Sequence, residues 1–169
     1  MTSGLWANAG ETPNRLLFRV HHNASGTMRS ADGGFATQNR DWLRTEDDFY
    51  NALQDHLVID NDEPTPFISV GDSATLAADR ARWMRESGCR NVRIFVIDPS
   101  AVGKIALHVR RAANYLQLGI PNRVYRFTAG ERVYLRDIPG YAVVKEYSNI
   151  DHFCRAYGGS GGIRELGTS

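Results

Sequence analysis

The order of the predicted secondary-structure elements constrains the fold of this chain more than any other feature of its sequence. Up to about residue 120, short apolar runs typical of buried strands alternate with helix-like segments. The predicted strands are Leu16–Val20, Phe67–Val70, Val92–Ile97, Val124–Thr128, Arg132–Leu135 and Tyr141–Tyr147. Two helices follow the caps Thr45 and either Asp72 or Ser73, and two more span Ile105–Leu118, at least in part, and Ile150–Tyr157. A Gly-rich loop covers 23–39. Because the alternation stops after about residue 120, the sequence predicts a mixed α+β fold rather than a doubly wound parallel sheet.

The length of the chain, 169 residues, fits a single domain. Residues 1–12 are polar and contain glycine, and we predict a flexible N-terminus there. Residues 13–157 then form the domain. A run of glycines and one serine from Gly158 to Gly162 predicts a flexible tail over 158–169. Both ends are expected to be dispensable for folding.

Composition narrows the classes of partner and compartment. The net charge of +1 gives no strong basic field, although a local patch could still hold a nucleic acid. No apolar run reaches the roughly 18 residues of a membrane span, and no signal segment is evident, so we expect no membrane and a cytoplasmic protein. An exported toxin or effector is the alternative. Cys89 and Cys154 lack metal-ligand spacing, which predicts no metal site and leaves reduced thiols or a disulfide open.

Three polar residues stand where the strand pattern expects apolar ones. They are Arg19 in the first strand, Ser69 in the second and Glu131 at the start of a late strand. Such local conflicts concentrate at functional sites, so these residues are the candidate site. Each also has an ordinary explanation: an arginine paired with a surface acid, a serine bonded to backbone, and a solvated glutamate in the turn after Gly130.

The three residues and their surroundings resemble the ADP-ribosyltransferase superfamily, in the Arg–Ser–Glu branch with its pierisin-like and cholera-toxin-like members. Over roughly residues 16 to 148, four segments resemble family motifs in order. These are Leu17–His21, the Gly33-Gly34-Phe35 run, Phe67–Gly71 with the first serine of a Ser-Thr-Ser motif, and Glu131–Pro139, which runs from a glutamate to Ile-Pro. The resemblance implies a mainly antiparallel, split β-sheet with flanking helices around an NAD cleft.

The resemblance also implies roles for individual residues. Glu131 would be the catalytic glutamate, Ser69 would orient it, and Arg19 would support the site and face the NAD phosphates. NAD contacts are implied for Arg19, Val20, His21 and Ser69, and Trp83 could stack on a ring of the ligand. Cleavage of the nicotinamide–ribose bond develops positive charge on the ribose, and a carboxylate stabilises that charge. NAD is therefore the expected substrate, with ADP-ribose passing to an unknown protein or nucleic-acid acceptor, or to water.

The chain departs from the family pattern at three positions. Ala129 stands two residues before Glu131, where relatives that modify macromolecules carry Glu or Gln, and Val70 and Gly71 replace the rest of the Ser-Thr-Ser motif. These departures leave the acceptor open. They also leave open a catalytically degenerate fold that binds a nucleotide or a protein without turnover.

A second enzymatic interpretation rests on Gly71-Asp72-Ser73, which resembles the nucleophile motif of the GDSL hydrolases. Ser73 would then attack an ester with a histidine as base. The motif lies far from the N-terminus, and His152 has Asn149 rather than an acid three residues before it. Asp72 and Ser73 also suit a plain helix cap.

Overall fold

The computed structural model describes residues 1–58 and 64–158, and these form a mixed α+β fold in which every strand pairing is antiparallel. The strands are β1 (Gly10–Glu11), β2 (Leu17–His21), β3 (Thr27–Arg29), β4 (Phe35–Thr37), β5 (Phe67–Gly71), β6 (Arg93–Ile97), β7 (Ala106–His108), β8 (Glu131–Leu135), β9 (Asp137–Ile138) and β10 (Val143–Tyr147). The helices are α1 (Ser3–Ala9), α2 (Glu46–His56), α3 (Ala74–Glu86), α4 (Val109–Tyr115), α5 (Asn122–Tyr125) and α6 (Ile150–Tyr157). The predicted α+β class is confirmed.

The strands build two sheets. The larger has seven strands in the order β1-β7-β8-β5-β2-β6-β10, and the smaller has the order β3-β4-β9. Between β2 and β5 the larger sheet is split. Those two strands share one residue pair, Phe18 with Gly71, whereas β2 pairs with β6 over five residues and β5 with β8 over five. The split lies in the middle of the sheet, between strands that carry two of the candidate residues.

Three apolar clusters hold the layers together. Helices α1, α2 and α4 pack on the β5-β8-β7 half, around Phe49 and Phe67. Helices α3 and α6 pack on the β2-β6 half, around Phe18 and Phe153. The small sheet covers the opposite face with Phe35 and Ile138. Each half of the split sheet therefore has its own helices, and the split opens toward the gap between α2 and α3.

The helices that border this gap form for local reasons visible in the sequence. Thr45 caps α2 in a capping box with Asp48, as the predicted N-cap requires. Three acidic residues fill the first turn, where the helix dipole favours them. Ser73 caps α3 by accepting from the Leu76 amide, and Gly88, at φ 90°, follows the end of that helix. Both helix predictions are confirmed.

The N-terminus is ordered, which corrects the prediction of a flexible segment over 1–12. Leu5 and Ala9 of α1 are fully buried against Phe49 and Leu53 of α2. Glu11 in β1 pairs with Ala106 of β7. The prediction failed because two apolar residues four apart on a short helix give too weak a periodic signal. The tail from residue 159 lies outside the described residues.

Two internal segments also differ from the sequence prediction. The loop at 23–39 contains a hairpin, β3 and β4, which turns through Gly33 at φ 90°. The strand predicted at Val124–Thr128 is helical, formed by α5 and a 3₁₀ turn. There the Thr128 hydroxyl donates to the Tyr125 carbonyl and closes a helical turn. The stretch predicted as helical at Ile105–Leu118 begins with the short strand β7 before α4.

No helix within the described ranges combines the length and apolar character needed to cross a membrane.

Candidate functional site

A cavity of about 650 Å³ lies over the split between β2 and β5, with α2 and α3 as its walls. This volume is within the range of small-molecule sites. The residues that line the cavity include Arg19, His56, Ser69, Arg80, Trp83 and Glu131. The cavity therefore contains all three residues of the predicted site.

Strand pairing places Ser69 beside Glu131. Gly71 of β5 lies directly opposite Glu131 of β8, so Ser69, two residues along β5, is on the same face as the glutamate. Gly71 has no side chain to intervene. The Ser69 hydroxyl donates to Glu131 Oε2 at 2.7 Å, and Glu131 is only 6% exposed. The serine thus orients a buried carboxyl group, and Glu131 is not a solvated turn residue.

A histidine extends this pair into a directed chain of hydrogen bonds. His56 Nε2 lies 2.5 Å from Ser69 Oγ, and His56 Nδ1 lies 2.7 Å from Thr65 Oγ1. Since the serine proton goes to Glu131, Nε2 must donate to the serine. In a neutral imidazole Nδ1 then accepts from the threonine hydroxyl. Burial, aided by the charges of Arg80 and Arg19, lowers the pKa of His56 to about 3, so the ring is neutral at physiological pH.

The carboxyl group of Glu131 has opposing influences on its ionisation. Burial raises its pKa, while the charge of Arg80 and the Ser69 hydrogen bond lower it. The net direction is upward from the ordinary value. Glu131 is therefore a destabilised carboxylate when ionised, and it interacts favourably with any positive charge that develops in the cavity.

Arg19 is a buried cation that lacks a carboxylate partner among the described residues. Its side chain starts on the face of the sheet opposite to Phe18, and its guanidinium reaches the split. Nη1 donates to the Ser69 carbonyl at 3.0 Å, Nη2 contacts Ser25 Oγ at 3.3 Å, and Nε has no partner in the described part of the chain. Burial, with a smaller effect from Arg80, lowers its pKa to about 9, so the group stays charged.

A buried, unpaired guanidinium is unfavourable in the free protein. Arg19 is 6% exposed, and residues 1–58 and 64–158 place no acid within ion-pairing distance of it. Among the described residues, nothing supports the alternative of an arginine paired with a surface acid. The cavity beside the guanidinium leaves room for an anion to approach it.

Arg80 supplies a second positive charge to the same cavity. It lies on the stripe of α3 that faces the cavity, together with Leu76, Ala77, Trp83 and Met84. Its charge contributes to the pKa shifts of Arg19, His22, His56 and Glu131, which locates it centrally among them. Among the described residues, its guanidinium makes a cation–π contact with the Phe127 ring, whose centroid lies 5.9 Å from the guanidinium carbon.

The remaining predicted contact residues divide into two groups. Val20 and Trp83 line the cavity, and Trp83 is 41% exposed at its rim. His21 is not among the lining residues, and its contact with NAD stays a prediction. Its ring packs 5.3 Å from the Phe35 ring and 6.1 Å from the Phe95 ring, behind Arg19. The neighbouring His22 lines the cavity instead.

The sequence prediction missed His56 and Arg80. A signal for each exists: His56 follows Leu53 by three residues on the buried face of α2, and Arg80 follows Ala77 by three on α3. A polar residue on an apolar helix face is the same kind of conflict that singled out Arg19. The hydrogen bond between His56 and Ser69 depends on tertiary packing, which periodicity does not show.

Two other sequence features have structural roles. Ser73 accepts from the Leu76 amide as the cap of α3, and Asp72 pairs with Arg132, so the Gly-Asp-Ser motif shows no nucleophile arrangement in the described residues. Ala129 lines the cavity and presents only a methyl group. Within the described ranges no cluster of three His, Cys, Asp or Glu side chains could hold a metal ion.

Comparison with known proteins gives a family but no characterised relative. No curated protein and no solved structure matches the chain. One family model matches residues 12–152, which span β2 to β10 and all the site residues described above. Its description is a domain of unknown function, DUF7587. Because the match covers well over half of the sequence, the chain belongs to the DUF7587 family.

Proposed function

We propose that this protein is an NAD-dependent mono-ADP-ribosyltransferase with an ADP-ribosyltransferase-like fold. It would cleave the nicotinamide–ribose bond of NAD and pass ADP-ribose to an acceptor or to water. One observation carries the proposal: a buried arginine that has no acid partner among the described residues lines the same cavity as a serine-bound buried glutamate. The order β8-β5-β2 supports it, because it brings together the three residues on which the family resemblance rests.

The chemistry assigned to the glutamate follows from its surroundings. As nicotinamide leaves with the bonding electron pair, positive charge develops on the ribose. An ionised Glu131 beside that ring would stabilise the charge where it develops, and its low exposure makes the interaction stronger than in water. Ser69 holds the carboxylate in one orientation, and the neutral His56 holds Ser69.

The two arginines fit the anionic part of the same substrate. The pyrophosphate of NAD carries two negative charges, and a guanidinium pairs with phosphate oxygens through its planar fork. The Nε–H group of Arg19 has no partner in the part of the chain that the structure describes, and Arg80 adds a second charge nearby. Binding of the pyrophosphate would therefore relieve an unfavourable feature of the free protein.

Ala129 favours a second candidate function. Neither Ala129 nor Val70 and Gly71 supplies the polar groups that transferring relatives carry at those positions. A binding module that holds a nucleotide without turnover would keep Arg19 and the cavity and would need no acceptor group. The two functions share the ligand and differ in the release of nicotinamide.

The test measures binding and cleavage separately. NAD is expected to raise the melting temperature, because it binds the folded state only, and free nicotinamide should accumulate and be detected by mass. Arg19→Met should abolish most of the thermal shift. Arg40→Met is the matched control, since Arg40 forms an exposed ion pair with Asp137 away from the cavity.

A thermal shift without nicotinamide, with any acceptor tried, would support the binding module. If NAD produces neither effect in the parent, both candidate functions are wrong. If Arg19→Met folds and shifts as the parent does, the phosphate role of Arg19 is wrong.

A further inference from the structure

A second polar cluster lies on the face of β8 opposite to the Glu131 side chain, separate from the cavity. Arg132 follows Glu131 in β8, so its side chain points to the opposite face of the sheet. Its Nη2 and Nε donate to the two carboxylate oxygens of Glu11 at 2.8 and 3.1 Å. Its Nη1 donates to Asp72 Oδ2 and to the Gly130 carbonyl, each at 2.7 Å. Four hydrogen bonds thus hold one side chain.

These partners surround the backbone of Glu131. Gly130 precedes it, and Asp72 follows Gly71, the residue that pairs with Glu131 across the strands. Gly130 has φ 73°, and a Cβ at that position would overlap the carboxylate of Asp72. The turn before the glutamate therefore has little room to move while Arg132 holds Asp72 in place.

The side chains of this cluster are largely buried and form close ion pairs. The side chain of Arg132 is 11% exposed, and those of Glu11 and Asp72 are 23% and 21% exposed. Burial works to raise the pKa of Glu11, but the Arg132 hydrogen bond and charge outweigh it and lower the pKa overall. A bidentate pair with this little exposure fixes geometry far better than a surface ion pair.

We propose that Arg132 is a positioning residue for Glu131, and that Glu11 makes the N-terminal segment part of the support of the site. The inference rests on the proposed function for its kinetic consequence. It does not rest on it for its structural one, which is the placement of the Glu131 carboxyl group against Ser69. Glu131 and Arg132 are neighbours in β8 and point to opposite faces of the sheet, so Arg132 acts on Glu131 through the backbone.

The structural test follows the titration of the Glu131 carboxyl carbon by NMR in glutamate-labelled protein, assigned by its loss in Glu131→Gln. Arg132→Lys keeps the positive charge but loses the bidentate pair of hydrogen bonds to Glu11. We expect it to move the titration midpoint of Glu131 by about 0.5 pH unit or more, because the hydrogen bond from Ser69 changes. Glu11→Gln should move it in the same direction, and Arg40→Met should leave it in place.

The kinetic test measures nicotinamide release by the same variants. Arg132→Lys should lower kcat about tenfold or more with KM nearly unchanged, since misplacement of a reacting group costs rate rather than binding. A merely structural role would lower the melting temperature without either effect. If Glu131 titrates identically in the parent, Arg132→Lys and Glu11→Gln, the positioning role is wrong. If the parent releases no nicotinamide, the proposed function fails and the titration alone decides the role of Arg132.

Discussion

The two edges of strand β2 differ in almost every respect. On one side β2 pairs with β6 through five residue pairs, and four of the five β6 residues are buried and apolar. On the other side it pairs with β5 at a single position, and the Arg19 guanidinium bonds to the Ser69 carbonyl. One edge of a strand can thus contribute to the stability of the fold while its other edge borders a candidate ligand site.

The polar edge is unfavourable to folding by itself. The cavity beside this edge contains a guanidinium whose Nε–H group has no partner among the described residues, and a buried glutamate of β8 whose pKa burial raises. Ionised groups in such surroundings cost free energy unless they are paired. We call the edge of β2 that pairs with β6 the closed edge, and the edge that faces β5 and the cavity the open edge. Substitutions at the closed edge should therefore change the stability of the fold, and substitutions around the open edge should change the proposed reaction.

The largest effect is expected at the closed edge. Leu17 is fully buried and pairs with Ile97 of β6. Leu17→Ala should lower the free energy of unfolding by about 2.7–5 kcal/mol, the cost of lost burial plus a cavity. Chemical denaturation measures it. A loss below about 1 kcal/mol would mean that this edge does not carry the stability assigned to it.

At the open edge, Glu131→Gln should reduce nicotinamide release by about 10²–10³-fold, the usual effect of losing one well-placed electrostatic stabiliser. NAD binding should change much less, because the ground-state ribose is uncharged. The free variant should be at least as stable as the parent at neutral pH, since burial raises the pKa of Glu131 and a carboxyl group with a raised pKa costs stability above its ordinary pKa. Equal cleavage rates in parent and variant would remove Glu131 from the mechanism.

Ser69→Ala should have a smaller effect on the same reaction. It removes the hydrogen bond that orients Glu131 but leaves the charge, and one such bond contributes about 0.5–1.5 kcal/mol. A rate loss of roughly 2–13-fold is expected from that energy. Ser73→Ala is the control, because Ser73 caps α3 and does not bond to Glu131. A loss larger than that of Glu131→Gln would make Ser69 itself the reacting group.

The last effect concerns stability at acid pH. The unfolded chain protonates His56 near its ordinary pKa of 6.5, whereas the folded pKa is about 3. Stability is therefore lost as pH falls from 6.5 toward 3, with contributions also from His21, His22 and His108. In His56→Gln the free energy of unfolding should fall less steeply over this range, because unfolding takes up as much as one proton fewer than in the parent. The exposed His152 gives the control, His152→Gln, which should follow the parent.

Local chemistry made several elements predictable. Thr45 with its acidic first turn, the apolar run of β6 and the Ser73 cap each depend on neighbours within a few residues. Arg19 and Ser69 were recognisable because a charge or hydroxyl interrupts an apolar strand. Glu131 was found through its spacing from Ile138 and Pro139 in the family motif. Their meeting in one cavity depends on the order of strands, which no local pattern specifies.

The misses share a non-local cause. The segment from Val124 to Thr128 is rich in β-branched and aromatic residues, as strands are. Val124 and Phe127 are three apart, however, and both line the cavity from a helical segment. The short helix α1 persists because α2 and α4 cover it, as its own seven residues could not sustain it. His56 acquires its role from Ser69 on another element, so its own helix gives only half the signal.

The split sheet also has a consequence for synthesis of the chain. Strand β5 cannot complete its pairing until β8 exists, and Glu131 is added 62 residues after Ser69. Glu11 waits even longer for Arg132, which follows it by 121 residues. Such distant pairings form late and slow the folding of a domain. A partly made chain that ends before β8 therefore holds Arg19 and Ser69 but lacks Glu131, so the proposed cleavage of NAD would require the chain to extend through β8.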